Sequence, residues 1–330
     1  MKKVISFLYL LLIINLAALS QQDPQYTNNM YYKLGVNPGF AGAEDAINGL
    51  ILNRYQWVGM TGAPKTLVFS VDAAVNMFGS SGLGLNIISD ELGFEKNITI
   101  NASYAYKTSL SFGDLGIGFS AGLLNKGFNT GDDRWRTSSD VLQSTSGSDD
   151  IGGNTGSGGG GGDGIAPTGE VSQMAFDGGF GLYLLTKQYY FGLSVTHINK
   201  PEIRFDEQVT TFLERHYYLM GGYNIKLTDP LFELRPSFLF KSDLAGWQID
   251  LNTNVVYNER FWGGISYRVN DAIALLMGLE MENGLRIGYS FDLVTSAIGR
   301  YGYGSHEIFI GYSLNLERNR NQKYKSVRFL

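Results

Sequence analysis

Residues 247–257 read WQIDLNTNVVY, in which Trp247, Ile249, Leu251, Val255 and Tyr257 alternate with Gln248, Asp250, Asn252 and Asn254. A period of two places the first set on one face of a strand and the second set on the other. Residues 98–106 repeat the pattern, with Ile98, Ile100, Ala102, Tyr104 and Tyr106 set against Thr99, Asn101 and Ser103. So do residues 285–293 and 307–316.

Working outward, fourteen such segments follow residue 45. They cover 47–58, 65–77, 82–89, 96–109, 114–124, 175–185, 188–197, 212–227, 230–241, 246–257, 260–269, 271–281, 283–292 and 305–316. Most approach the ~9–11 residues that a tilted strand needs to cross a bilayer. A soluble sandwich also alternates, but three features favour a membrane. Fourteen half-apolar strands closed into a ring leave their apolar face outside. The opposite face is rich in Gly, Ser, Asn and Thr, which suits a lumen. Aromatic residues gather at strand ends, among them Tyr55, Trp57, Tyr104, Tyr106, Tyr189, Trp247, Tyr257, Phe261 and Tyr267, as interfacial girdles require. The expected fold is an all-β transmembrane antiparallel barrel of about fourteen strands, with twelve or sixteen as alternatives.

The N-terminus agrees with export. Lys2 and Lys3 precede an apolar run from Val4 to Leu16, and Ala18-Leu19-Ser20 supplies small residues for cleavage. This reads as a signal peptide over residues 1–20, with Gln21 as the new N-terminus. Residues 21–45 then form a periplasmic N-terminal segment or plug, 46–316 the barrel, and 317–330 a basic periplasmic tail. Connection lengths fit this orientation. The even connections, near 78–81, 110–113, 186–187, 228–229, 258–259 and 282, are short turns. The odd ones include the three longest, 125–174, 198–211 and 293–304; the odd connection near Asn270 is nearly absent. Short inner turns and long outer loops are usual in such barrels.

Composition narrows the function. Charged residues make up 17% of the 330 residues, against a usual share of about 25%. The net charge of −5 argues against nucleic-acid binding. Cys is absent, which removes disulfides, thiolate metal sites and Cys nucleophiles. His197, His216 and His306 are far apart in sequence, and no G-x-S-x-G, H-E-x-x-H or Walker motif occurs. No catalytic, cofactor or metal residues are therefore expected. The run Gly158 to Asp163 fits one copy of a calcium-repeat pattern, but that architecture needs stacked copies. The 125–174 segment reads as a flexible surface loop. Strand phase turns Asp72, Lys107, Glu233, Arg235, Asp250, Arg268, Glu280, Arg286, Asp292 and Glu307 into the lumen, because Arg or Lys facing lipid at mid-depth costs about 2–4 kcal/mol. Their nearly balanced signs predict ion pairs across the lumen.

Two N-terminal stretches carry a family likeness. The first is Gln22-Asp23-Pro24-Gln25-Tyr26-Thr27, then Met30-Tyr31, then Asn37-Pro38-Gly39-Phe40-Ala41-Gly42. The second is Arg54-Tyr55-Gln56-Trp57-Val58-Gly59 with Gly62-Ala63-Pro64-Lys65-Thr66. Together with Ser305-His306-Glu307-Ile308 and Gly311-Tyr312, they resemble the PorP/SprF family of type IX secretion membrane proteins. Gly39-Phe40 and the Gly-rich loop depart from the usual form. The resemblance implies a non-enzymatic outer-membrane barrel that works with type IX components. It would help to secrete or retain a particular cargo protein, often a surface adhesin, including those of gliding motility. The competing class is a diffusion channel or hydrophobic-solute transporter.

Partner contacts are expected at two places, in a protein otherwise surrounded by outer-membrane lipid. Outside are the 198–211 loop and Arg134-Trp135-Arg136, because Trp and Arg are enriched in binding hot spots. On the periplasmic side are the leader Asp23 to Gly42, with Asp23, Pro24, Tyr26, Asn37 and Pro38, and the tail Arg318 to Arg328.

Overall fold

The computed structural model describes residues 23–75, 79–129, 170–205 and 210–315. The expected signal peptide, the Gly-rich run, Arg134, Trp135, Arg136 and the expected basic tail lie outside the described residues.

Fourteen antiparallel strands form a closed ring. They are β1 (Ala46–Tyr55), β2 (Lys65–Val75), β3 (Ser81–Leu92), β4 (Glu95–Leu110), β5 (Gly113–Asn129), β6 (Glu170–Leu185) and β7 (Tyr189–Thr196). Next come β8 (His216–Tyr223, continued by Ile225–Lys226), β9 (Phe232–Ser242), β10 (Trp247–Tyr257), β11 (Phe261–Arg268), β12 (Ala272–Glu280), β13 (Leu285–Val294) and β14 (Ser305–Asn315). Each strand pairs with its neighbour in sequence. The ring closes where β1 meets β14, from Ala46 opposite Asn315 to Tyr55 opposite His306. Closure removes every unpaired edge, which a sheet in hydrocarbon requires. No helix among the described residues is long and apolar enough to cross a membrane.

Alternation sorts the side chains as the period of two demands. Ile51, Phe119, Ile265 and Met277 stand exposed on the outer face. Leu52, Val256, Trp262 and Phe309, each one residue out of phase with an exposed neighbour, are buried inside. One rim carries short turns, and the other carries the longer connections together with three short ones, 93–94, 243–246 and 269–271. The connection between β11 and β12 is tight because Asn270 takes a left-handed conformation, φ +60°, which Asn tolerates better than most residues.

The structure departs from the sequence reading in two places. The ladder of β5 and β6 continues past residue 124 and begins before 175, pairing Asn129 with Glu170. Lys126 extends β5 because its ammonium is buried against Glu95, 2.7 Å away. Phe128 extends it by packing on Phe94 and Phe205. The 198–211 connection also contains a small hairpin, Glu202–Arg204 with Thr210–Phe212. Its Ile203 is buried in a cluster with Leu124, Ala175 and Leu213.

Candidate functional site

The barrel is filled by its own N-terminal segment. Asp23 lies at the loop rim, beside His197 and His216, and the chain then descends through the ring to Ala46 at the turn rim. This leader has no periodicity, so it meets its backbone needs through successive tight turns. The N–H of Tyr31 donates to Asn28 O, that of Val36 to Lys33 O and that of Ala43 to Phe40 O. Pro38–Phe40 forms a single 3-10 turn. Asn37 caps it by accepting from Gly39 N, and its Nδ2 donates to the wall carbonyls of Leu182 and Leu193 at 3.0 and 3.2 Å. The Asn-Pro-Gly sequence is thus both a turn and an anchor.

Apolar packing around the leader forms the interior. Tyr26 and Tyr32 meet edge to face at 4.9 Å and pack on Leu52, Val68, Val256, Trp262, Leu276 and Phe309. A second cluster packs Leu34, Val36 and Phe40 on Tyr183, Tyr218, Met220 and Leu239. The small residues on the inner face make room for this chain. A Cβ on Gly118 would lie 2.3 Å from Gly39 N, and one on Gly82 would lie 2.0 Å from Ala41 O. Two cavities border the leader, one of about 300 Å³ lined by Lys33, Asp72 and Arg286 and one of about 420 Å³ lined by Asp23, Asn86 and His197.

Toward the loop rim, a buried ionic cluster grips the leader. Arg54 reaches Asp292 at 2.8 Å and Glu307 at 3.1 Å. Arg268 reaches Asp250 at 3.1 Å and Asp292 at 3.3 Å. Thr27 Oγ1 donates to Asp292 and accepts from Arg54 Nη1 at 2.9 Å. Both Glu307 oxygens accept leader amides, from Thr27 N at 2.9 Å and Asn28 N at 2.7 Å. Burying a carboxylate is costly unless donors surround it, and these donors offset that cost. Toward the turn rim, Asp72 accepts from Gly42 N at 2.9 Å, and Lys107 donates to Gly42 O and to Asp45. Arg235 pairs with Glu233 and Glu280, and Arg286 lies 4.0 Å from Glu44.

The ten lumen-assigned charges form two groups, each touching the leader. Asp250, Arg268, Asp292 and Glu307 meet toward the loop rim, while Asp72, Lys107, Glu233, Arg235, Glu280 and Arg286 lie toward the turn rim. Arg54 joins the first group. In the sequence it stands only as part of a family motif, although its phase opposite to the outward Ile51 and Tyr55 was a usable sign. Asp23, Pro24, Tyr26, Asn37 and Pro38 face the inside of this barrel.

A third cluster was not foreseen, because its residues are distant in sequence. His197 follows β7 and His216 opens β8, and the leader brings Asp23 between them. Asp23 Oδ1 is 3.0 Å from His197 Nε2, and Tyr218 Oη donates to Asp23 Oδ2 at 2.6 Å. Lys241 Nζ donates to Asp23 O at 3.0 Å. Burial alone would raise the Asp23 carboxyl, but His197 and His216 hold it far below the usual carboxylate range. Burial alone would lower His197, but Asp23 and Asp177 push it up to about 10.

The family described as "Type IX secretion system membrane protein PorP/SprF" matches residues 18–312. No curated protein matches the chain. Among solved structures, the chain is similar to the Acinetobacter baumannii outer membrane protein Omp33 at 5% identity and TM-score 0.44, over 82% of this chain and 99% of that one. A Pseudomonas aeruginosa FadL homologue matches at 9% identity and TM-score 0.42, over 82% and 89%. The CymD monoaromatic hydrocarbon channel matches at 13% identity and TM-score 0.40, over 81% and 86%. These likenesses say nothing of what this chain binds.

Proposed function

Because the chain belongs to the PorP/SprF family of type IX secretion system membrane proteins, and so is an outer-membrane component of that system, we propose that it acts as a non-enzymatic docking partner that helps secrete or retain a specific cargo at the surface. The observation that carries this reading is the filled lumen. A leader held by buried carboxylates, an Asn anchor and two apolar clusters runs through the lumen from rim to rim. The rims and their connections are then the surfaces available to other proteins. The turn rim is assigned to the periplasm and to the secretion machinery. The loop rim is assigned to the cargo, with Arg134, Trp135, Arg136 and the 198–211 connection as the contact candidates. On this reading Asp23, Pro24, Tyr26, Asn37 and Pro38 serve partners indirectly, by fixing the barrel that presents those rims. A surface adhesin, including one used in gliding, is the kind of cargo the family points to.

The test is to delete the gene and measure surface display of type IX cargo proteins. Loss of display of one cargo, restored by the wild-type gene and not by a Trp135→Ala variant that still assembles, supports the reading. Normal display with loss of uptake of a small solute would overturn it in favour of a channel.

A further inference from the structure

We propose that Asp23, His197 and His216 bind one divalent transition-metal ion of the zinc class, which fastens the leader to the barrel wall. One potential ligand atom from each residue lies within 4.8 Å of the others. Tetrahedral zinc, with bonds of about 2.0–2.2 Å to His nitrogen and carboxylate oxygen, holds its ligand atoms roughly 3.3 Å apart. The 3.0 Å between Asp23 Oδ1 and His197 Nε2 is close to that spacing. The two imidazole rings meet edge to face, with centroids 5.8 Å apart, so small side-chain adjustments bring both nitrogens onto one ion.

The surroundings are those of ligating histidines. A His that binds a metal through one nitrogen has an oxygen against the other, which sets its orientation. Asp177 Oδ2 lies 3.0 Å from His197 Nδ1, leaving Nε2 toward Asp23. The Glu214 carbonyl lies 3.0 Å from His216 Nδ1, which is 3.8 Å from Asp23 Oδ2, and His216 Nε2 accepts from the Asp23 backbone N–H at 3.4 Å, so an ion at Nε2 would take the place of that N–H. His197 is held at φ +54°, a conformation that costs a non-glycine residue about 1–3 kcal/mol and persists where its surroundings fix it. Two imidazoles and one carboxylate suit zinc and its neighbours, whereas magnesium and calcium prefer oxygen ligands alone. The adjoining cavity of about 420 Å³ leaves room for a water as fourth ligand.

The experiment uses the purified full-length barrel in detergent, loaded with zinc or with magnesium, freed of excess ion and assayed for metal per chain. Heat-dependent gel mobility confirms that each variant is an assembled barrel. The wild type and His306→Ala should retain one zinc per chain and no stoichiometric magnesium, since His306 instead contacts Tyr289 at 2.7 Å. His197→Ala and His216→Ala should each lose the zinc. Asp177→Asn keeps all three ligands and should weaken zinc binding by roughly 10–100-fold, which provides a reading if the His variants misassemble. The proposal is overturned if the wild type holds no more zinc than the assembled His216→Ala variant, if His306→Ala loses it, or if Asp177→Asn binds as tightly as the wild type.

Discussion

Thr27 and Glu307, 280 residues apart in sequence, are joined by a hydrogen bond of 2.9 Å from the Thr27 backbone N–H to Glu307 Oε2. The other carboxylate oxygen takes the amide of Asn28 at 2.7 Å, and Arg54 neutralises the group at 3.1 Å. Leader and barrel therefore share one buried charge network, and disturbing the network should release the leader.

Glu307→Gln tests that coupling. It leaves Arg54 short of an anion and sets an amide N–H₂ against a leader N–H. Removing one partner of a buried pair costs on the order of 3–5 kcal/mol. The chain has no cysteine, so Met30→Cys supplies a single thiol within the leader. That thiol should resist a water-soluble maleimide in the otherwise wild-type barrel and react readily once Glu307→Gln is added. Equal labelling rates in the two assembled proteins would mean that the network does not hold the leader.

Close approach at Gly118 makes a second prediction. A methyl group there would meet Gly39 N and the Pro38 carbonyl carbon, each at 2.3 Å. Gly118→Ala should lower stability by about 1–3 kcal/mol, the usual cost of overpacking. Gly263→Ala, whose Cβ would meet only Leu276 O at 3.6 Å, should change stability by less than about 0.5 kcal/mol. Urea unfolding in lipid vesicles, followed by tryptophan fluorescence, compares the two.

Strand phase gives a third. Leu275 lies mid-strand in β12 and faces outward, while Leu276 is buried within. Leu275→Arg should cost about 2–4 kcal/mol at the bilayer midplane. Tyr301→Arg, at an exposed position between β13 and β14, should leave stability within about 0.5 kcal/mol of wild type. Similar costs for both would contradict the assigned lipid face.

The strand ring was legible in the sequence because its signal is local. Ile249, Leu251 and Tyr257 declare their face through their immediate neighbours, and all fourteen segments became strands. The leader was legible only as a packed segment. Its Tyr, Met and Asn-Pro content marked it so, but Thr27 finds Glu307 and Asn37 finds Leu182 through ring closure, which no local pattern records. The inward Gly and Ser residues read as the lining of a lumen, and Gly82 and Gly118 make room there for Ala41 and Gly39. His197 and His216 looked remote until the β7–β8 connection folded back and Asp23 entered between them.

The most direct test of the account is whether the leader occupies the lumen in the native membrane. Asn28 Nδ2 donates to Ser290 Oγ at 3.1 Å, so an Asn28→Cys/Ser290→Cys pair places two thiols side by side in a protein with no others. Treating intact cells with a short bifunctional thiol reagent, then resolving the denatured chain by gel mobility, detects the covalent loop. The account predicts efficient cross-linking of this pair and none for Asn28→Cys with Ser120→Cys. An assembled barrel in which the Asn28–Ser290 pair fails to cross-link, while each thiol reacts separately with a soluble maleimide, would contradict it.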